Sequence, residues 1–405
     1  VPTGETRRAA ALWLDARHLG DLTVGRRGPR LIHSEGALGR LAGRPLPSVA
    51  LPVRRRAWSG PAVSALIAGL VADPLMPGPS PGPGGLPAAG DDLPGALVVT
   101  APGAEPPAPA RPPAALTDAE RAELLAAMAP AMRAADDERG GVPLIVDPDG
   151  TWRHPAPGAP SSHLLRGADP ALLGGAANEA LCARVAAELG LAVTPATTVG
   201  RGDAAALLVE RDDRRRTPAG TVIRVHRESL SAALGLPPDA RGTGPAPLAG
   251  AAALLDRWSA DPAAAEGLLA ALVVVALLGD GRTGLPHLGL RHGPGGRVDL
   301  APLRGLSCTT ATAVLGRRAG VGADGVRDLD AVTRADLVAE GNAWGLRAGR
   351  AATIVDDILT EAPAALWRAA GAVAAPPALV GHLLGRARSL AHRGAPGADL
   401  SASAA

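Results

Sequence analysis

The sequence predicts an α+β protein of two lobes, and three observations predict it. The chain has 405 residues, enough to bury a substantial core and divide into two or three domains. Short β-type segments punctuated by Gly and Pro fill its first half. After about residue 225 the apolar residues recur mostly at helical spacing. Strands followed by helices, rather than an alternation of the two, give segregated layers with a cleft between the lobes.

Taken in order, "AALWLDARHLGDLTV" places two short strands about a turn-like break at Asp15–Gly20. "PLPSVALPV" (45–53) is held extended by its prolines, and "ALVVT" (96–100) is a compact strand. Between them Val63, Leu66, Ile67 and Leu70 mark a helix, while 74–90 and 101–114 are too rich in Pro and Gly for a sheet. Thr117 and Glu120 form a capping-box pattern at the start of "TDAERAELLAAM". "VPLIVDPDGTWRH" reads as two strands joined across Pro148-Asp149-Gly150, and "SSHLLRG" as a third. "AANEALCARVAAELGL" is a helix with Leu181, Val185, Ala186 and Leu189 on one face and Gly190 as its stop. "ATTVGRGDAAALLVERDDRRR" is a hairpin leading into a charged connector. Further helices are expected at 228–235, 247–258, 262–279, 333–344, 350–359 and 377–392. The expected divisions are a β-rich subdomain with Pro/Gly-rich loops (1–114), the rest of the N-lobe (115–224, hinge at about 208–214), a helical C-lobe (225–393) and a disordered tail (394–405).

Composition narrows the function. The chain has no Phe, Tyr, Lys or Gln, and Arg carries all the positive side-chain charge, a bias that fits GC-rich coding. Six Trp are its only large rings, so the core must be built from Leu, Val and Ala. A net charge of +2, with Arg runs only three long at Arg54–Arg56 and Arg214–Arg216, reads as solvated loops rather than a polyanion track. The lack of stacking rings also argues against direct nucleic-acid binding. Cys182 and Cys308 show neither metal-knuckle nor disulfide spacing, which points to a reducing cytoplasm. The N-terminal stretch lacks a signal-peptide core, and the longest apolar run, Gly267 to Gly279, falls short of the roughly 20 residues that span a bilayer.

Several stretches, in this order, resemble segments of the HipA family, the kinase-fold toxins of bacterial HipBA toxin–antitoxin modules. They are "LWLDARHLGDLT", "RPLPSVALPV", "LIAGLVAD" with Asp73 retained, "GDDLPGALVV", "NEALCARVAAELGL" followed by "ALLVERDDRR", and "HRESLSAALGLPP". The likeness runs from about 11 to 392. It implies a two-lobed, protein-kinase-like fold and an ATP-dependent serine/threonine protein kinase working with Mg²⁺. It also implies a HipB-like DNA-binding antitoxin as partner, and a protein substrate or regulatory partner.

Phosphoryl transfer needs a loop over the phosphates, a cation on them, a base for the hydroxyl and metal ligands. The family's phosphate loop falls on "AADDERGG" (134–141), where Gly140 and Gly141 are suited to cradle phosphate and Asp136, Asp137 and Glu138 repel it. Its phosphate-contacting lysine falls on Arg166, with Glu179 in the next helix within reach as an ion-pair partner or else exposed, with Asn178, at a helix start. Glu210 and Asp213 stand at the hinge, where backbone 208–211 would meet an adenine. The segment "VVVALLGDGRTGLPHLGLRHGPGGRVDLAPLRGLS" (273–307) reads as a helix end, a Gly break, two short strands and a tight turn, and carries the family's catalytic loop. Arg282 takes the place of the catalytic aspartate, and Gly284 that of the loop histidine. His287 and Gly305 take the places of the two metal ligands. An Arg does not accept a proton near neutral pH, and Gly offers Mg²⁺ no side-chain oxygen. Asp280, through a two-residue shift of the loop, is a possible substitute base, and Asp299 a more remote one. Three functions therefore stay open: a pseudokinase that acts by binding, an active kinase with a rearranged loop, and a non-catalytic scaffold.

Overall fold

The computed structural model describes residues 8–14, 16–71, 85–88, 91–107, 113–133, 141–202, 205–238 and 247–393. Its first unit is an antiparallel sheet of β1 (Arg8–Leu14), β2 (Arg17–Gly25), β3 (Gly28–His33), β4 (Trp58–Ser59) and β5 (Leu97–Thr100), in spatial order β4-β3-β2-β1-β5. Leu12, Leu22 and Leu31 alternate onto one face and pack with Val63, Leu66 and Leu70 of α2 (Pro61–Val71). The short α1 (Glu35–Leu41) escaped the sequence reading because two glycines break its pattern. Ser34 starts it, its hydroxyl accepting from the Ala37 N–H at 3.1 Å. Segment 45–53 forms no strand; it sends Val49, Leu51 and Val53 inward as an irregular underlay.

A second antiparallel sheet follows, built from β6 (Val142–Val146), β7 (Trp152–Arg153), β8 (His163–Gly167), β9 (Ala196–Val199) and β10 (Ala206–Glu210), in order β7-β6-β8-β10-β9. The helices α3 (Asp118–Arg133) and α4 (Ala176–Glu188) pack with it. The capping box forms as expected: the Glu120 N–H donates to the Thr117 hydroxyl at 3.2 Å, and the Glu120 carboxylate accepts from the Thr117 N–H at 2.7 Å. The expected charged connector is instead a hairpin of β11 (Arg214–Arg216) and β12 (Val222–Arg224).

The second half opens with β13 (Arg227–Ser229) and α5 (Leu230–Ala233), which divide the helix expected at 228–235. β13 pairs with β14 (Gly289–His292), and β14 with β15 (Val298–Leu300). A hairpin of β16 (Arg318–Ala323) and β17 (Val326–Asp328), invisible in the sequence pattern, comes next. The helices are α6 (Pro247–Trp258), α7 (Ala264–Leu278), α8 (Arg334–Ala343), α9 (Arg350–Ala372) and α10 (Pro377–His392). α7, apolar except for Glu266 in its first turn, is the centre of this lobe, with 271–278 buried on every side. α9 runs past its expected end at 359 and through Pro363, because Ala362, Ala365, Leu366 and Ala369 bury a continuous face. That tertiary packing outweighs the backbone hydrogen bond the proline removes. The tail at 394–405 and the segment 134–140, with Gly140 and the three acids of the expected phosphate loop, lie outside the described residues.

Candidate functional site

The site is framed by a buried ionic hinge. Asp92, from the "GDDLPGALVV" stretch, accepts from Arg211 and Arg214, each at 2.8 Å, and from the Ser161 N–H at 2.8 Å and hydroxyl at 2.7 Å. Asp213 accepts from Arg211 at 2.9 and 2.8 Å and from the Gly95 N–H at 2.6 Å. Burial pushes both carboxyls up, but the guanidiniums of Arg211 and Arg214 prevail. Asp92 is held at about 2, and Asp213 is lowered as well. The Arg214 side chain is thus an interior strut, not part of a solvated run. Two stretches far apart in sequence meet here and tie the first sheet to the second.

On β8, Arg166 reaches across to Glu179 of α4 and pairs with it. Neither Glu179 nor its neighbour is an exposed helix-start residue. Asn178 is fully buried, its amide NH₂ donating to the Cys308 carbonyl at 3.1 Å and its carbonyl accepting from the Cys308 N–H at 2.7 Å. α4 is thereby fastened both to the sheet and to the segment that follows β15. Gly141 lies against the Arg166 stem, where an added Cβ would stand 3.1 Å from Cγ.

The loop after α7 is shaped by Gly279, a left-handed helix cap at φ +67°. Any Cβ there would fall 2.2 Å from the Thr310 hydroxyl, so only glycine fits. The next residue, Asp280, is fully buried. Its carboxylate accepts from the Arg282 N–H at 2.8 Å, the Thr283 N–H at 3.1 Å, the Thr283 hydroxyl at 2.7 Å and the Ser307 N–H at 3.0 Å. Burial raises this carboxyl while those donors restrain it. Asp280 is the knot that holds the loop to 307, and it has no exposed surface. A general base must come within hydrogen-bond reach of the proton it takes, and here the Asp280 carboxylate is occupied by donors of its own loop and of Ser307. Asp299 lies exposed on β15 and accepts from the Ser259 hydroxyl at 2.8 Å.

Arg282, expected in the place of the family's catalytic aspartate, points to Asp169, which follows β8, and pairs with it. Asp169 is itself held by the Ala171 N–H, which donates to its second oxygen at 2.7 Å. Sequence reasoning missed Asp169, because no local pattern marks a partner 113 residues away. His287 turns Nδ1 toward the Gly284 N–H at 3.3 Å, and Gly305 holds φ at +64° with no side chain. A cation, an imidazole bound into its own loop and a hydrogen do not make the hard-oxygen array Mg²⁺ requires. Among the described residues, no three His, Cys, Asp or Glu side chains are grouped to hold a metal. At the hinge, the Glu210 N–H donates to the Pro195 carbonyl and the Arg211 N–H to the Ser162 carbonyl, both at 2.9 Å. Those two donors are spent within the protein. The Glu210 side chain is exposed.

A strand cation paired with a helix glutamate, a hinge, and a loop leaving the central helix of a second lobe define a protein-kinase-like architecture. A family model described as HipA-like C-terminal domain matches residues 132–366, and this chain belongs to that family. A kinase-like protein of Sinorhizobium fredii, Y4mE, is 30% identical over 259 residues, which cover 58% of this chain and 61% of that protein's length. A chain from the solved Shewanella oneidensis toxin–antitoxin complex of HipA, HipB and operator DNA superposes with a TM-score of 0.74. It covers 95% of this chain and 97% of its own length at 18% identity, a likeness of fold. Among the described residues, no helix is long and apolar enough to cross a membrane.

Proposed function

We propose that this chain is a HipA-family, kinase-like protein that acts by binding rather than by phosphate transfer, the toxin-side member of a toxin–antitoxin pair that has become a pseudokinase. The observation that carries the reading is Arg282, a permanent cation where a proton acceptor is required, ion-paired to Asp169. The burial of Asp280 supports it by removing the nearest replacement base. Arg166 and Glu179 keep the architecture of a kinase ion pair, and in this reading they brace β8 against α4 rather than orient a nucleotide. ATP with Mg²⁺, the family's cofactors, then has no productive place in the cleft. The partner that fits is a HipB-like DNA-binding protein, since the similar Shewanella chain was solved in a complex with HipB and operator DNA.

The test is calorimetric titration of the purified chain with ATP and Mg²⁺, alongside an autophosphorylation assay with labelled ATP. Neither Mg²⁺-dependent binding nor transfer is expected; tight binding with transfer would sink the proposal. Co-expression with a small helix-turn-helix protein encoded beside it should yield a stable complex that retards operator DNA.

A further inference from the structure

Charge is unevenly spread along the chain. The stretch from Arg8 to Val71, which forms β1–β4, α1 and α2, holds ten arginines and three carboxylates, a net of +7. The whole chain carries only +2, so the remainder is net negative. The fold gathers part of this positive charge along β3. Arg27 stands in the β2–β3 turn and Arg30 in the strand, and the Arg54–Arg56 run leads into β4, which pairs with β3 at Arg30–Ser59 and Leu31–Trp58. Continuing that register places Arg56 opposite His33. Arg27, Arg30 and Arg56 therefore follow one another at intervals of about 10 Å, three residues of extended chain. All five arginines are exposed, and Arg27, Arg30 and Arg56 make no side-chain hydrogen bond or ion pair among the described residues. Leu31 packs inward, so Arg30 and Ile32 on either side of it point outward. Ile32 is 43% exposed, one of three large apolar side chains left so open among the described residues. The loop is set before any partner arrives. Arg54 lies over Trp58, 3.1 Å from the ring centre, and its Nε–H donates to the Arg56 carbonyl at 3.1 Å, while the Trp58 ring N–H donates to the Pro52 carbonyl at 2.9 Å. With that face of the ring covered, no base can stack on it. The acids nearby are Asp21, opposite Ile32 and 3.1 Å from His18, and Glu35, 3.0 Å from Arg55. A phosphate backbone, charged at every nucleotide, meets both of them; a peptide can place an uncharged residue at each.

We infer that the outward face of β3, with the loop 54–56, docks an acidic, extended segment of a partner protein. Its carboxylates, about three residues apart, meet Arg27, Arg30 and Arg56, and an aliphatic side chain between them meets Ile32. The inference stands whether or not the cleft transfers phosphate, since none of these residues belongs to the cleft.

The probe is a fluorescein-labelled peptide of three Glu-Val-Ser repeats, titrated into the full chain and followed by anisotropy. Saturable binding is expected, weakening about tenfold or more between about 0.1 M and about 1 M NaCl as the screening length shortens from about 10 Å to about 3 Å. The same peptide with Gln in place of Glu should not bind. Arg30→Glu combined with Arg56→Glu should weaken binding about tenfold or more, and Ile32→Ser about threefold. Arg388→Glu reverses an exposed charge on α10 and should leave binding unchanged. Circular dichroism checks each variant, and if the double variant does not fold, Arg27→Ala decides, with a loss of about threefold expected. Absence of saturable binding overturns the inference, as does binding that ignores salt, survives the double reversal or is matched by the Gln peptide. A DNA duplex of equal charge that binds more tightly than the peptide and weakens with the same variants overturns the assignment to a protein segment.

Discussion

Replacing Asp92 by Asn should destabilise the folded protein by about 2 to 5 kcal/mol at pH 7. The lower bound comes from the carboxyl itself. Its fall from the ordinary 3.8 to about 2 measures how much the surroundings favour the ionised form, about 2 kcal/mol. The upper bound comes from what is left behind. Arg211, Arg214 and Arg224 all face Asp92, and after the substitution only Asp213 remains to balance them. Removing one partner of a buried ion pair strands the others at a cost of about 3–5 kcal/mol. The assay is urea unfolding followed by Trp fluorescence and circular dichroism. The sign with pH is also determined. The folded carboxyl is depressed, so its contribution is complete above 3.8 and disappears as pH falls toward about 2. The difference between wild type and variant should therefore be constant from pH 8 to pH 5. A variant within about 0.5 kcal/mol of wild type would refute the reasoning, because a change that small is what exposed sites show.

Asp280→Asn should lower the melting temperature by an amount equivalent to about 2–4 kcal/mol, since an amide nitrogen would confront donors where an oxygen now accepts. It should leave phosphate transfer at the wild-type background, and a transfer activity that the wild type has and the variant lacks would reinstate Asp280 as a base. Pro363→Ala should stabilise α9 by about 1–3 kcal/mol by restoring a donor to the Leu359 carbonyl, read as a rise in melting temperature; a fall would count against the packing account. His226 is held at about 3, by burial first and then by His292, whose ring lies tilted against it with centroids 4.4 Å apart. Below 6.5 the unfolded chain takes up a proton that the folded chain refuses, so acid should cost about 2 kcal/mol by pH 5 from this residue alone. In His226→Asn the loss of stability between pH 7 and pH 5 should shrink by that amount; an unchanged profile would show that His226 titrates normally.

What could be read from the residues alone was whatever depends on near neighbours. Helical spacing revealed α4, α6, α7, α8 and α10, and the Thr117–Glu120 box marked the start of α3, because caps and periodicity are local. Helix ends were less legible. α9 crosses a proline because distant surfaces bury its continuing face, and the helix expected at 228–235 gave way to a strand that finds its partner in β14. The site divides the same way. That an arginine at 282 takes up no proton near neutral pH and a glycine at 305 offers no side-chain oxygen follows from residue type. Which groups touch them does not: Asp169 lies 113 residues from Arg282, and Asp92 lies 119 from Arg211. The sequence by itself determined the α+β class and the kinship, since those are properties of composition, order and side-chain type. Only the tertiary structure decided that Asp280 is a buried knot, that the hinge is an ionic lock and that arginines from separate stretches line up beside β3. Each of these depends on chain segments brought together by burial of apolar surface, which carries no record of the distance between them along the chain.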